Sequence, residues 1–162
     1  MNRSLNERQY AQLLAPLNEK RVAKRSGGGG RALSYLEAWD VKAHLIRIFG
    51  FGAWSADVID WSLAFEEQTD KGNWSVGYRV MLRLTIPSLG CTYTEAAVGS
   101  AQLPQRGEAH DMAIKTAESD ALKRAAINLG TQFGLSLYDN GSLRDVVIKT
   151  LDVDDAATAS TE

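Results

Sequence analysis

The sequence predicts an α+β domain, an antiparallel β-meander packed by one long helix and flanked by shorter helices. Three observations carry that prediction. Val76, Tyr78, Val80, Leu82, Leu84 and Ile86 alternate with Gly77, Arg79, Met81, Arg83 and Thr85, the period of a strand with one buried face. Ile114, Ala117, Ala121, Leu122, Ala125 and Leu129 share one helical stripe, largely of small residues. Val41, Leu45, Ile46 and Phe49 recur at helical spacing from Trp39 to Phe49, and Gly50 supplies the stop.

The remaining elements follow in chain order. Ser4-Leu5-Asn6-Glu7 has capping-box spacing, and Leu5, Tyr10, Leu13 and Leu14 predict a short amphipathic helix ending near Pro16. A basic stretch then meets Gly27 to Gly30, a run that no packed element accommodates. Ala32 to Leu36 reads as a short strand. Trp54 to Phe65 is strand-rich, with Ile59, Trp61, Leu63 and Phe65 on one side, and Asp70-Lys71-Gly72-Asn73 reads as a hairpin turn. After the alternating run, Ser88-Leu89-Gly90 turns the chain into a strand from Cys91 to Val98. A polar loop, Gly99 to Gly107, precedes the long helix at about Glu108 to Leu129, whose small residues allow close approach to the sheet. Ser142 is expected to cap a last short helix through Leu151. The acidic tail from Asp152, rich in Ala, Thr and Ser, is expected to be disordered.

Composition narrows the function. The 162 residues suit one domain, and the single Cys excludes a disulfide framework or a thiol-rich zinc site within the chain. No run of about 18 apolar residues exists to span a membrane, and the charged N-terminus does not read as a signal peptide, so a cytoplasmic protein is expected. The formal charge of -2 argues at first against nucleic acid. Its distribution reverses that argument: residues 1–31 carry +5, residues 32–111 carry -4, residues 112–151 carry +1 and the last eleven carry -4.

The residues of enzymes do not organise. His44, His110 and Cys91 have no metal-ligand spacing, and core or surface packing is their ordinary role. The glycine tract lacks the Gly-Lys-Ser/Thr that a phosphate loop needs, which leaves either a plain linker or a hinge beside Lys24, Arg25 and Arg31. Glu37, Asp40, Asp57, Asp60 and Glu95 form no tight metal-binding motif and read as solvated charges. Lys123 and Arg124 project away from the apolar stripe. Asp120 can pair with them along the helix, yet two bases against one acid leave a positive surplus suited to phosphate. Both readings stand on geometry alone. Arg79 and Arg83 share one sheet face and either line a groove or solvate it.

Taken in order, these fragments resemble the Rad-fifty-two family of single-strand annealing recombination proteins. The match runs through Arg25-Ser26-Gly27-Gly28-Gly29-Gly30, Tyr35-Leu36-Glu37-Ala38-Trp39, Phe49-Gly50-Phe51-Gly52-Ala53-Trp54, Val76-Gly77-Tyr78, Asp120-Ala121-Leu122-Lys123-Arg124-Ala125 and Phe133-Gly134, over roughly residues 20 to 140. The resemblance implies a ring or helical homo-oligomer that holds single-stranded DNA in a basic groove. Complementary strands would anneal there without ATP, metal or other cofactor, so no enzyme is expected. By position, Lys123 and Arg124 match the family's backbone-gripping pair, Arg25 the groove's arginine, and Tyr35 an aromatic beside the strand. Lys71, Arg106 and Lys115 are the nearest candidates for the family's outer DNA site.

There are departures from the family pattern. Asn73 stands where members can carry lysine, Ile127 where a further arginine often follows the pair, and Pro104 in a stretch that elsewhere is lysine-rich. The expected organisation is a single annealing domain over 1–151 and a tail over 152–162. With no long partner-binding tail, the chain looks like a phage or prokaryotic member, with host or phage recombination proteins as possible partners. A passive single-strand binder or recombinase loader is the alternative, and a metal-dependent nuclease a weaker one.

Overall fold

The computed structural model describes residues 5–151; Ser4 and the tail from Asp152 lie outside the described residues. Chain order is α1 (Glu7–Leu14), β1 (Ala23–Ser26), β2 (Ala32–Tyr35), α2 (Ala38–Phe49), β3 (Ser55–Gln68), β4 (Trp74–Ile86), β5 (Cys91–Leu103) and α3 (Arg106–Ala126). Three single-turn helices follow, ending at Tyr138. Two antiparallel sheets result, a β1–β2 hairpin and a β3–β4–β5 meander, so the α+β expectation holds.

Alternation in β4 builds the core. Val76, Val80, Leu82, Leu84 and Ile86 are buried on the face that α3 covers, while Arg79 and Arg83 point to the other side. Helix α3 meets them with Ala109, Ala113, Ala117, Ala121, Leu122 and Ala125, all fully buried. Small residues on both surfaces bring helix and sheet together. At Gly99 of β5 a β-carbon would lie 2.2 Å from the Ala117 backbone nitrogen. Glycine there permits contact, and it does not end the strand.

That contact corrects the loop expected over Gly99 to Gly107. Strand β5 continues to Leu103, paired with Trp74, and the helix begins at Arg106. The expected single face of β3 is also corrected. Register shifts between Val58 and Asp60 and between Leu63 and Phe65 each insert a residue. Trp61 and Leu63 face Val80 and Tyr78 on the helix side, whereas Phe65 falls opposite Gly77 on the other side.

At the N-terminus the capping box is formed by Asn6 and Gln9, so the box expected from Ser4 and Glu7 shifts by two residues. The helix expected after Ser142 is absent. Backbone groups in that stretch bond to distant segments instead: Leu143 O accepts from Leu17 N, and Val146 N donates to Thr131 Oγ1. A chain tied sideways in this way cannot also close its own helical ladder.

Between the N-terminal segment and α2, Arg21 and Asp40 form a largely buried ion pair at 2.8 Å. Gln132 joins them to α1 and α2: its side-chain amide donates to Ala15 O and Pro16 O, and its Oε1 accepts from Gln12 and Arg21. His44 Nε2 lies 2.9 Å from the same Oε1. Burial, reinforced by the Arg21 charge, lowers the His44 pKa to about 4. No helix among the described residues is long and apolar enough to cross a membrane.

Candidate nucleic-acid interface

A cleft of about 1010 Å³ separates the β1–β2 hairpin from α3, with Ala96–Val98 of β5 and the turns after α3 completing its walls. The hairpin explains how Arg25 and Tyr35 meet. Arg25 pairs with Leu33, so Tyr35, two residues on, stands diagonally across on the same face. The Arg25 guanidinium lies 5.4 Å from the Tyr35 ring centroid. The glycine tract closes this hairpin: Gly27 N donates to Arg31 O, and Gly29 and Gly30 take φ of 75° and 77°, a conformation that disfavours other residues.

Helix α3 supplies the other cations. Lys123 Nζ lies 5.5 Å from the same Tyr35 centroid and pairs with Asp120 at 2.8 Å. Arg124 reaches Glu95 of β5 at 3.4 Å. Arg25, Arg31, Lys123 and Arg124 line the cleft, with Asp120 as the one lining carboxylate among the described residues. The face opposite the apolar stripe is therefore not open solvent, because the hairpin stands over it. Lys123 makes the expected pair with Asp120, Arg124 pairs with Glu95 of β5 rather than with Asp120, and both bases line the cleft. Such partly exposed pairs are worth only about 0–1 kcal/mol, so a phosphate can replace either carboxylate at small cost.

Arg106, Lys71 and Lys115 do not line that cleft. Arg106 binds Glu66 of β3 through two bonds of 3.0 and 2.9 Å and covers the Trp74 ring at 5.1 Å. That guanidinium, with His110 beside it, holds the Glu66 carboxyl below its usual range. Lys71 sits in the β3–β4 turn, at the same end of the meander as Arg106. Lys115 lies about 13 Å farther along α3, given a rise of about 1.5 Å per residue, and pairs with Asp111 at 2.7 Å. Two of the three share an end, and the third stands apart.

Other candidates are absorbed by the fold. His110 joins Tyr78 and Glu66, His44 joins Gln132, and burial raises the Cys91 thiol above its usual range. Asp40, Asp60 and Glu95 are each paired with an arginine. Among the described residues no three His, Cys, Asp or Glu side chains group as metal ligands. Sequence reasoning placed Arg31 only beside the hinge and passed over Tyr138. Arg31 could have been found from the tight turn that the glycines allow. Nothing local signals Tyr138, because the walls of the cleft come from segments about 100 residues apart.

A model of the Rad52/22 family of double-strand break repair proteins matches residues 6–153. The chain is 32% identical over 136 residues to the DNA repair and recombination protein rti1 of Schizosaccharomyces pombe, and 33% identical over 138 residues to rad22 of the same yeast. It is 30% identical over 131 residues to the DNA repair and recombination protein RAD52 of Saccharomyces cerevisiae. These matches cover 83%, 84% and 80% of this chain but 36%, 29% and 27% of the relatives, so the chain spans about a third of their length. All three relatives are fungal and do not bear out the phage or prokaryotic type expected above. With the family model matched along nearly the whole chain and relatives at 30% identity or more over most of it, the chain belongs to the Rad52/22 family.

Proposed function

We propose that the chain binds the backbone of single-stranded DNA along this cleft and anneals complementary strands without ATP, in recombination and repair. The convergence of Arg25, Tyr35, Lys123 and Arg124, drawn from a hairpin and a distant helix, carries the reading. Annealing requires a strand gripped by its phosphates with base edges left free for a second strand, and a groove of cations suits that division. The relatives' names, DNA repair and recombination proteins, point the same way.

A ring or helical homo-oligomer extends the cleft from one copy to the next. Val58, Trp61 and Leu63 of β3 face the helix side of the sheet but remain 45%, 59% and 48% exposed, an apolar edge suited to a second copy. Repetition multiplies a small per-subunit patch along one strand. The outer-site role of Lys71, Arg106 and Lys115 is a weaker reading, since the three do not gather in one cleft and Lys115 stands well along α3 from the end that Lys71 and Arg106 share.

The test is pairing of complementary oligonucleotides with and without magnesium. Acceleration without nucleotide or metal, lost in Lys123→Ala with Arg124→Ala, is the expected result. Binding that slows pairing would identify a passive binder, and magnesium-dependent degradation would identify a nuclease.

A further inference from the structure

We infer that Tyr138 is the platform on which a nucleobase stacks, and that Tyr35 instead holds cations in place. The inference rests on the single-strand reading above. Besides the buried Phe133, two aromatic residues line the cleft, in different states. The Tyr35 ring already has Arg25 and Lys123 over it, at 5.4 and 5.5 Å. Among the described residues, Tyr138 makes no side-chain hydrogen bond or ring contact that would occupy it, and it is 71% exposed at the rim of the same cleft.

Exposure of this kind is held in place by the backbone. Gly141 N donates to Leu137 O and Ser142 N to Asp139 O, at 2.9 and 3.0 Å. Between them Asn140 adopts φ 51°, a left-handed conformation uncommon for a residue with a side chain. The turn also lies against the hairpin, because a β-carbon at Gly141 would sit 3.3 Å from Ser34 Oγ. A large aromatic ring on a tied turn loses little freedom when a base covers it. Stacking engages the face of a base and leaves its pairing edge open. It is therefore sequence-tolerant and compatible with a second strand.

The experiment compares binding of an oligo-dT strand and an equally long abasic strand to the full chain, to Tyr138→Ala, to Tyr138→Phe and to the Lys123→Ala, Arg124→Ala variant. Tyr138→Ala is expected to weaken oligo-dT binding by about fivefold or more, leaving abasic binding and the salt slope unchanged, while Tyr138→Phe binds as wild type. Tyr138→Trp should report contact directly, with fluorescence quenched by oligo-dT beyond the wild-type change and not by the abasic strand. Equal loss on both strands, or no loss on either, overturns the stacking role while the cleft reading stands. Failure of the wild type to bind either strand, or undiminished binding without Lys123 and Arg124, overturns both.

Discussion

Lys123 Nζ lies 5.5 Å from the centroid of the Tyr35 ring, a contact that joins α3 to the β1–β2 hairpin across the cleft. Arg25 shares that ring, so one aromatic orients two cations that are 98 residues apart in the sequence. Each such contact is worth about 0.5–1 kcal/mol at an exposed site. Tyr35→Leu should therefore lower single-strand affinity about two- to fivefold for each cation released, whereas Tyr35→Phe keeps the ring and the affinity. Fluorescence anisotropy with a labelled oligonucleotide measures both. Wild-type affinity in the leucine variant would show that the ring orients neither cation for binding.

Glu95 lies 3.4 Å from the half-exposed Arg124 guanidinium, where on the proposed reading it would compete with a DNA phosphate. Glu95→Gln should tighten DNA binding at low salt and change stability by no more than about 1 kcal/mol. Affinity titrations at two salt concentrations, beside a thermal melt, distinguish the effects. Unchanged affinity would mean that DNA does not displace this carboxylate.

Self-association should depend on the bare edge of β3. Trp61→Glu with Leu63→Glu places charge where the wild type exposes two large apolar side chains. Light scattering after size-exclusion chromatography should show a shift to smaller species with the far-ultraviolet spectrum intact. An unchanged mass would locate the contact elsewhere.

Stability should fall on mild acidification because of His44. Its pKa of about 4 in the folded protein lies below the ordinary 6.5, so the unfolded chain binds the extra proton between these values. The histidine's contribution is complete above about pH 6.5 and is lost as pH falls toward 4, amounting to about 3 kcal/mol across the window. Urea midpoints at pH 7 and pH 5 measure it, and His44→Gln should flatten the difference. An equal slope in that variant would assign the effect to another group.

Gly99→Ala should destabilise the domain by about 1–3 kcal/mol, because the added methyl meets the Ala117 backbone and neither element can move alone. Gly107→Ala provides the control: it lies in α3 with open space around it and should be neutral or mildly stabilising. Thermal melts of the two variants should move in opposite directions or differ by several degrees. Equal melting temperatures would show that sheet and helix can separate at Gly99.

Much of this fold is legible residue by residue. The alternation of β4, the stripes of α2 and α3 and the Asp70–Asn73 turn are local patterns, and each element forms close to where its period predicts, although α3 ends at Ala126 rather than at Leu129. Patterns that depend on a partner are not legible in this way. The bulges of β3 follow from its register against β4, Gly99 reads as a breaker until Ala117 is set beside it, and Ser142 caps no helix because its neighbours bond to Leu17 and Thr131.

The same division runs through the candidate site. By itself the sequence determined the family motifs, the residue types at Arg25, Tyr35, Lys123 and Arg124, and the charge polarity that puts +5 in the first 31 residues. Only tertiary structure decided that these four share one cleft, that Arg31 and Tyr138 join them, and that Arg106 spends its charge on Glu66 of a distant strand. The reason is physical. Periodicity fixes which face of one element a side chain takes, whereas convergence depends on how a hairpin, a helix and a turn pack in three dimensions, and no local spacing encodes that.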